Sequence, residues 1–234
     1  NKNVYAVAWN SKSIVYWDRD ASTGALTNKV ALVDAISGLS PDERLQQGLS
    51  GASGVTVSPD NKNVYAVAYN SKSIVHWDRD ASTGALTNKV VLIDATNLDG
   101  AYSVTMSPDG KNVYVVASNS KSIVHWDRDP ATGLLSNQVI GMYSKYLKNA
   151  GSVTVSPDGK RVYAASYGYD ALVYWDRDMT TGALTDQVNW KDSTNLRNAK
   201  SVVVSPDNKN VYVVSWFGSI VHWDQTQSIP ASSL

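Results

Sequence analysis

Residues 152–178 read SVTVSPDGKRVYAASYGYDALVYWDRD, and the chain repeats this stretch with small changes along its length. Within the stretch an apolar run ends at Ser-Pro-Asp-Gly, resumes, breaks at Tyr-Gly-Tyr-Asp, and resumes again before Asp-Arg-Asp. Short apolar runs bounded by Pro, Asp and Gly are typical of β-strands joined by tight turns. Each copy, with the apolar run that follows its Asp-Arg-Asp turn, therefore predicts a small antiparallel sheet of four strands.

The copies stand at a fixed interval. Their Val-Tyr pairs end at Tyr5, Tyr65, Tyr114, Tyr163 and Tyr212, at spacings of 60, 49, 49 and 49 residues. A period of about 40 to 50 residues with four short strands per copy is typical of one blade of a β-propeller, and such blades stack side by side because none buries both of its faces alone. We therefore predict an all-β fold: a single β-propeller domain over residues 1–234, with about five four-stranded blades, a repeat of 49 residues, and repeats starting near residues 1, 53, 102, 151 and 200.

The composition of the chain excludes several classes of partner and of chemical site. The 234 residues include 21 basic and 21 acidic side chains and no cysteine. No overall charge attracts nucleic acid, and disulfides and thiolate sites are excluded. No apolar run approaches the length of a membrane span, and no signal peptide is visible. We expect no cofactor, no nucleic-acid partner and no membrane insertion, and the chain is typical of the mature form of a secreted or periplasmic protein.

Alternating strand directions place the loops on two faces of the predicted propeller. One face holds the turns that recur in nearly every copy, Ser-Pro-Asp and Asp-Arg-Asp. Pro fixes φ and Asp caps a turn through its own backbone, so this uniformity indicates a structural role. A calcium loop is the rival interpretation, but Gly comes one position too late for the EF-hand pattern. We predict no metal site there.

The opposite face, which we call the variable face, carries the loops in which the copies differ. These are the loops between the second and third strands and those between blades. Variable loops held on a rigid scaffold are the usual place for binding residues, although unconstrained loops would vary in the same way. Lysines on this face favour an anionic or polyhydroxylated ligand. The candidate ligand-binding residues are Trp9, Asn10, Tyr69, Asn70, Asn119, Tyr167, Tyr169, Trp216 and Phe217.

Neither the histidines nor any known catalytic motif indicates a metal site or a catalytic site in this sequence. His76, His125 and His222 occupy one register of the third strand in three copies. Stacked sheets lie about 10 Å apart, so these rings cannot converge on one metal ion. The chain has no nucleophile elbow, no His-Glu-x-x-His and no phosphate-binding glycine loop. We assign no catalytic residue from sequence.

The repeat nevertheless resembles a known family. Residues 153–163, continuing through 175–184, are similar to the repeat of the bacterial lactonase-like β-propellers, also called Tyr-Val-Thr-Asn repeat proteins. The resemblance covers nearly the whole chain and implies the propeller fold. It also implies a lactonase-like hydrolase with a site in the central tunnel, although no family catalytic residue can be matched to a position in this sequence.

A second resemblance is one of architecture, to the five-bladed propeller lectins. Residues 1–30 and 61–90 differ at only two positions, so similar shallow sites are expected around the ring. Weak repeated sites gain affinity on a repetitive target such as a glycan-coated surface. The main hypothesis is therefore a non-catalytic propeller that binds a glycan or another small polar ligand multivalently. A lactonase-like hydrolase and a structural propeller that docks a protein partner are the alternatives.

Overall fold

The computed structural model describes residues 2–34, 47–141 and 143–224. Within these ranges the chain forms eighteen β-strands in five antiparallel sheets, and one 3₁₀ helix at Lys145–Leu147. None of the helical structure in those ranges has the length and apolar character needed to cross a membrane. The predicted all-β class is confirmed.

The strands follow one another through each sheet, and we number the five sheets as blades 1 to 5. Blade 1 contains β1 (Asn3–Ala8), β2 (Ser13–Arg19) and β3 (Leu26–Val33), and blade 2 contains β4 (Ala52–Val57), β5 (Asn63–Ala68), β6 (Ser73–Arg79) and β7 (Leu86–Ile93). Blade 3 contains β8 (Ala101–Met106), β9 (Asn112–Ala117), β10 (Ser122–Arg128) and β11 (Leu135–Ile140). Blade 4 contains β12 (Ala150–Val155), β13 (Arg161–Ser166), β14 (Ala171–Arg177) and β15 (Leu184–Lys191), and blade 5 contains β16 (Ala199–Val204), β17 (Asn210–Ser215) and β18 (Ile220–Asp224).

The predicted four strands per blade are seen in three of the five blades. Blades 2, 3 and 4 have four strands, whereas blades 1 and 5 have three within the described residues. Blade 1 opens on β1, which repeats the sequence of the second strand of blade 2, and the residues after Asp224 lie outside the described ranges. The first strands of blades 2 to 5 begin at residues 52, 101, 150 and 199, at intervals of 49 residues.

Neighbouring blades pack face to face through apolar side chains from both. Trp126 of blade 3, for example, is 3% exposed and shares a core cluster with Tyr65 and Ile74 of blade 2. All six residues of β9 are buried, since this strand has a blade on each side. Apolar residues on both faces of the middle strands are therefore what holds the stack together.

The arginine of the Asp-Arg-Asp turn crosses to the preceding blade. Arg128 donates from Nε to the Tyr65 hydroxyl at 3.1 Å, and from Nη2 to Asn63 Oδ1 at 2.5 Å and to Asp60 Oδ2 at 2.9 Å. Arg177 makes the same contacts with blade 3. We call this set, an arginine with the Asp, Asn and Tyr of the preceding blade, the inter-blade clamp.

The two aspartates of the turn have separate tasks. Asp127 accepts hydrogen bonds from the side chains of Asn112 at 3.0 Å and Asn137 at 2.8 Å, and so ties three strands together. Asp129 accepts from the backbone N–H groups of Thr132 and Ala131, which lowers the pKa of its carboxyl. The second aspartate is thus the turn cap that the sequence predicts, while the arginine acts between blades.

The junction of blades 4 and 5 uses different residues. The position of the clamp arginine in blade 5 is occupied in the sequence by Gln225, which lies outside the described residues. In blade 4 Arg161 stands where the other copies have Asn. Arg161 interacts with the Tyr163 hydroxyl and donates to Asp176 Oδ1 at 3.2 Å. The Tyr163 hydroxyl therefore contacts an arginine of its own blade, whereas the Tyr65 and Tyr114 hydroxyls each contact the arginine of the next blade.

We expect acid to weaken the clamp. Burial opposes ionisation of Asp109, but hydrogen bonds from Ser107 and Lys111 and the charge of Arg177 outweigh it and lower its pKa. A lowered folded-state pKa means that the unfolded chain binds the proton more readily. The stabilisation is therefore complete above the ordinary aspartate pKa of about 4 and is lost as the pH falls through the lower value. Urea unfolding at about pH 6 and about pH 3 measures this change. Asp109→Asn should make the dependence shallower, and an unaltered slope would contradict the assignment.

Candidate functional site

The loops of the variable face are joined by backbone hydrogen bonds. Ser118 donates from its backbone N–H to the Gly100 carbonyl at 2.9 Å, and Tyr167 donates to the Asn149 carbonyl at 3.3 Å. Each of these bonds links a loop between second and third strands to the loop that enters the same blade. The two variable loop sets therefore lie together, as predicted, on one face.

A cavity of about 220 Å³ opens on this face where strands β8, β12 and β16 begin. These are the first strands of blades 3, 4 and 5, and β12 contacts both of the others. The cavity thus lies at the inner end of three blades, and we call it the mouth cavity. Its lining consists of Tyr69, Tyr102, Ser118, Asn149, Ala150, Gly151, Tyr167 and Lys200.

A lysine and a tyrosine from different blades meet in the mouth cavity. Lys200 Nζ donates to the Tyr102 hydroxyl at 3.1 Å, and it lies 5.0 Å from the centre of the Tyr102 ring. Gly151, from the blade between them, makes room for this contact. A Cβ at residue 151 would lie 3.1 Å from the Lys200 carbonyl oxygen and 3.8 Å from Cδ of its side chain. The absence of a side chain at residue 151 therefore lets the Lys200 backbone of blade 5 pack closely against blade 4, beside the Lys200–Tyr102 contact.

Tyr69 forms part of the wall of the mouth cavity, and its hydroxyl begins a chain of polar contacts. Its hydroxyl donates to Asn119 Oδ1 at 2.8 Å, and Asn119 Nδ2 lies 3.4 Å from Asp99 Oδ1. Lys72 pairs with the same carboxylate oxygen at 3.3 Å. The Trp9 ring packs on Tyr69 with 5.1 Å between ring centres. These contacts fix the orientation of the tyrosine ring beside the cavity.

The nine residues selected from sequence fall into three groups. Tyr69 and Tyr167 line the mouth cavity, and Trp9 and Asn119 contact Tyr69. Tyr169 packs edge-on against Tyr146 instead, with 5.4 Å between ring centres. The remaining four are outside the lining, and the two aromatics among them are 67% and 61% exposed: Asn10, Asn70, Trp216 and Phe217.

Sequence reasoning missed the lysine–tyrosine pair. Both residues occupy one position of the repeat, which reads Ser53, Tyr102, Gly151 and Lys200 at intervals of 49 residues. No other property of these residues marks them, since isolated lysines and tyrosines are common on surfaces. The signal was the divergence of this position between copies, the same criterion that selected the neighbouring loops.

The lining defines the chemistry that the cavity offers. It presents one ammonium group, three phenols, one carboxamide and one aliphatic hydroxyl. These groups donate hydrogen bonds to carbonyl, carboxylate and hydroxyl oxygens, while the tyrosine rings offer flat apolar surfaces. Among the described residues no cluster of three His, Cys, Asp or Glu side chains is arranged to hold a metal ion. The arrangement suits a small, oxygen-rich, neutral or anionic ligand.

These features define a β-propeller with a cavity at the inner end of its blades. The family model described as the lactonase, seven-bladed β-propeller matches residues 1–146, and the chain belongs to this family. This family has seven blades, so the predicted count of five blades differs from it. No curated protein matches the chain.

Solved structures agree with the fold. A protein of Bacteroides uniformis, provisionally named a 6-phosphogluconolactonase, aligns with a TM-score of 0.77 at 17% identity, over 98% of this chain and 65% of its own. The periplasmic gluconolactonase of Pseudomonas aeruginosa aligns with a TM-score of 0.71 at 16% identity, over 99% of this chain and 65% of its own. This chain thus spans about two thirds of the length of these structures, and at such identities the likeness concerns the fold alone.

Proposed function

We propose that this protein is a lactonase-like hydrolase whose mouth cavity binds the lactone of a polyhydroxylated acid. The observation that carries the proposal is the Lys200–Tyr102 contact inside a cavity walled by tyrosines. Membership of the lactonase family supports it, as do the names of the two structural neighbours, which refer to gluconolactone and its phosphorylated form.

Lactone hydrolysis needs stabilisation of the charge that develops on the carbonyl oxygen. Water adds to the carbonyl carbon, the bond from that carbon to the ring oxygen breaks, and the released oxygen takes up a proton. The Lys200 ammonium and the Tyr102 hydroxyl are donors that can bind the carbonyl oxygen as it becomes negative. The tyrosine rings can hold the sugar ring, whose C–H groups pack on aromatic faces. Asn149 and Ser118 can pair with its hydroxyl groups.

Proton release from glucono-1,5-lactone tests the proposal. The rate with the chain present is compared with the spontaneous rate, using a pH indicator in weak buffer, and binding of gluconate is measured by calorimetry. We expect acceleration that saturates with substrate. A rate equal to the spontaneous one, together with no heat of binding, would reject the mouth cavity as a lactonase site.

Multivalent carbohydrate binding stays a prediction with its own test. Trp9 and Tyr69, equivalent residues of blades 1 and 2, pack on each other rather than standing as two platforms. If these rings nevertheless serve as stacking surfaces, replacing Trp9, Tyr69 and Trp216 by alanine abolishes agglutination of glycan-coated beads. The melting temperature should change little, because two of these loop rings are exposed and Tyr69 is only half-buried, so they contribute little to the core. Agglutination that survives the triple change, or none by the parent chain, contradicts the lectin hypothesis.

A further inference from the structure

The mouth cavity lies where one copy of the repeat lacks an aromatic side chain. The loop between the second and third strands opens with Trp or Tyr in four blades and with Ser in blade 3: Trp9, Tyr69, Ser118, Tyr167 and Trp216. In blades 2 to 5 the backbone N–H of this residue donates to a carbonyl of the loop that enters the same blade. The backbone is therefore held in the same way, and the copies differ here in the side chain.

The aromatic side chain at this position extends over the following blade. The Trp9 ring of blade 1 packs on Tyr69 of blade 2 with 5.1 Å between ring centres, and the Tyr69 hydroxyl donates to Asn119 of blade 3 at 2.8 Å. A ring in place of Ser118 would extend over blade 4 in the same way. Four residues of blade 4 line the mouth cavity there: Asn149, Ala150, Gly151 and Tyr167. The cavity is therefore the space that an aromatic side chain of blade 3 would fill.

Blade 3 carries an aromatic residue on its first strand instead. Tyr102 stands in β8 where the first strands of blades 2, 4 and 5 have Ser53, Gly151 and Lys200. The pairing of each first strand with the second shifts at this residue, which is therefore a β-bulge. A bulge redirects a side chain and is often found next to active sites. Tyr102 lines the cavity and accepts the Lys200 hydrogen bond, but it leaves the space beside Ser118 open.

We propose that Ser118 and Tyr102 together determine the specificity of the mouth cavity, and that a ligand with a single ring occupies the space of the missing side chain. Tyr69 and Tyr167 lie on the blades to either side of Ser118 and contact that ring, and the Lys200–Tyr102 contact lies in the same cavity. That the ring is a lactone rests on the proposed function, whereas its size rests on the repeat. A lactone that carries a second sugar ring exceeds the volume of one aromatic side chain and should be excluded.

The phenol p-cresol, which is the side chain of tyrosine without its backbone, tests the shape of the cavity separately from hydrolysis. An engineered cavity left by a removed side chain can bind a small aromatic molecule. We expect p-cresol to bind the parent chain and to shift the amide resonances of Asn149 and Gly151 in an NMR titration. Ser118→Tyr places the same ring in the cavity covalently and should abolish these shifts. Ser11→Tyr adds a tyrosine to the corresponding loop of blade 1, at an exposed residue, and should leave them unchanged.

Two lactones then test the ligand class, glucono-1,5-lactone and cellobiono-1,5-lactone, which carries a second glucose ring. We expect the parent chain and Ser11→Tyr to accelerate hydrolysis of the first only, and Ser118→Tyr to accelerate neither. A second variant, Ser118→Tyr with Tyr102→Ser, gives blade 3 the combination that blade 2 already has, Ser53 with Tyr69. It should melt like the parent chain and lack both p-cresol binding and lactone hydrolysis.

The outcomes separate this inference from the proposed function. Binding of p-cresol that Ser118→Tyr abolishes, with no hydrolysis of either lactone by the parent chain, would support the assignment of Ser118 and reject the lactonase. Absence of p-cresol binding in the parent chain, or equal binding in a folded Ser118→Tyr, would overturn the inference. So would equal acceleration of the two lactones or hydrolysis that survives in Ser118→Tyr. Unfolding of both Ser118 variants would overturn it as well, since the ring would then not fit the space.

Discussion

Arg128→Ala is expected to lower the free energy of unfolding by about 3 kcal/mol, the lower end of the range for removing one partner of a buried ion pair. The Arg128 side chain is 1% exposed, and its removal takes one donor from each of four acceptors: Asp60, Asn63, the Gly110 carbonyl and the Tyr65 hydroxyl. Asp60 keeps part of its hydration because its side chain is 32% exposed, so the cost does not reach the upper end of that range. Urea unfolding of the two proteins at neutral pH measures the difference.

Two variants control this prediction. Arg19→Ala removes the same residue from the same turn of blade 1, where its side chain is exposed and has no hydrogen-bond partner among the described residues, and should change the free energy of unfolding by less than about 0.5 kcal/mol. Arg128→Lys keeps the charge but not the planar fork that serves several acceptors at once, so it should recover only part of the loss. Equal costs for Arg128→Ala and Arg19→Ala would show that the turn, rather than the clamp, is responsible.

Lys200→Met is expected to reduce kcat/KM for glucono-1,5-lactone by about 100-fold, since losing one donor to a developing oxyanion typically costs that much or more. Methionine keeps an unbranched side chain of similar length without the charge, so the cavity wall is retained. The loss should be mainly in kcat, because the hydrogen bond to the carbonyl oxygen strengthens in the transition state. The initial rate of proton release at several substrate concentrations separates the two parameters.

Lys121→Met is the matched control, because Lys121 is a lysine of the same face with an exposed tyrosine, Tyr143, as its partner. It should leave kcat/KM unchanged. Gly151→Val should reproduce much of the Lys200 defect, since a side chain there meets the Lys200 backbone and stem. Equal activities of Lys200→Met and Lys121→Met would exclude a catalytic part for Lys200.

The repeat predicted the fold well because its determinants are local. Ser-Pro-Asp turns and alternating apolar residues specify strands wherever they occur, and the first strands of blades 2 to 5 follow one another every 49 residues. The number of blades in the ring was harder to predict. Blade number depends on how the packed faces are angled, and residues such as Val64 and Trp77 are the same in kind whether the ring has five blades or seven.

The site was only partly predictable, again for a physical reason. Tyr69 and Tyr167 could be found because an aromatic residue at a loop is unusual. Lys200 lies on blade 5 and packs beside Gly151 of blade 4, and its partner Tyr102 comes from blade 3. A contact among three blades depends on the stacking of the sheets, which one copy of the repeat does not contain.

The altered junction between blades 4 and 5 bears on how such a gene can gain or lose units. Excising residues 110–158 would join Asp109 to Gly159. Arg177 would then belong to the blade that follows blade 2, and it could form the inter-blade clamp with Tyr65. Excising residues 159–207 would instead place Tyr114 before a blade with Gln225 in the arginine position, and Arg161, the local substitute, would be gone. Recombination between near-identical units can therefore remove a central blade and keep the inter-blade clamp, whereas blade 5 keeps its junction only next to blade 4.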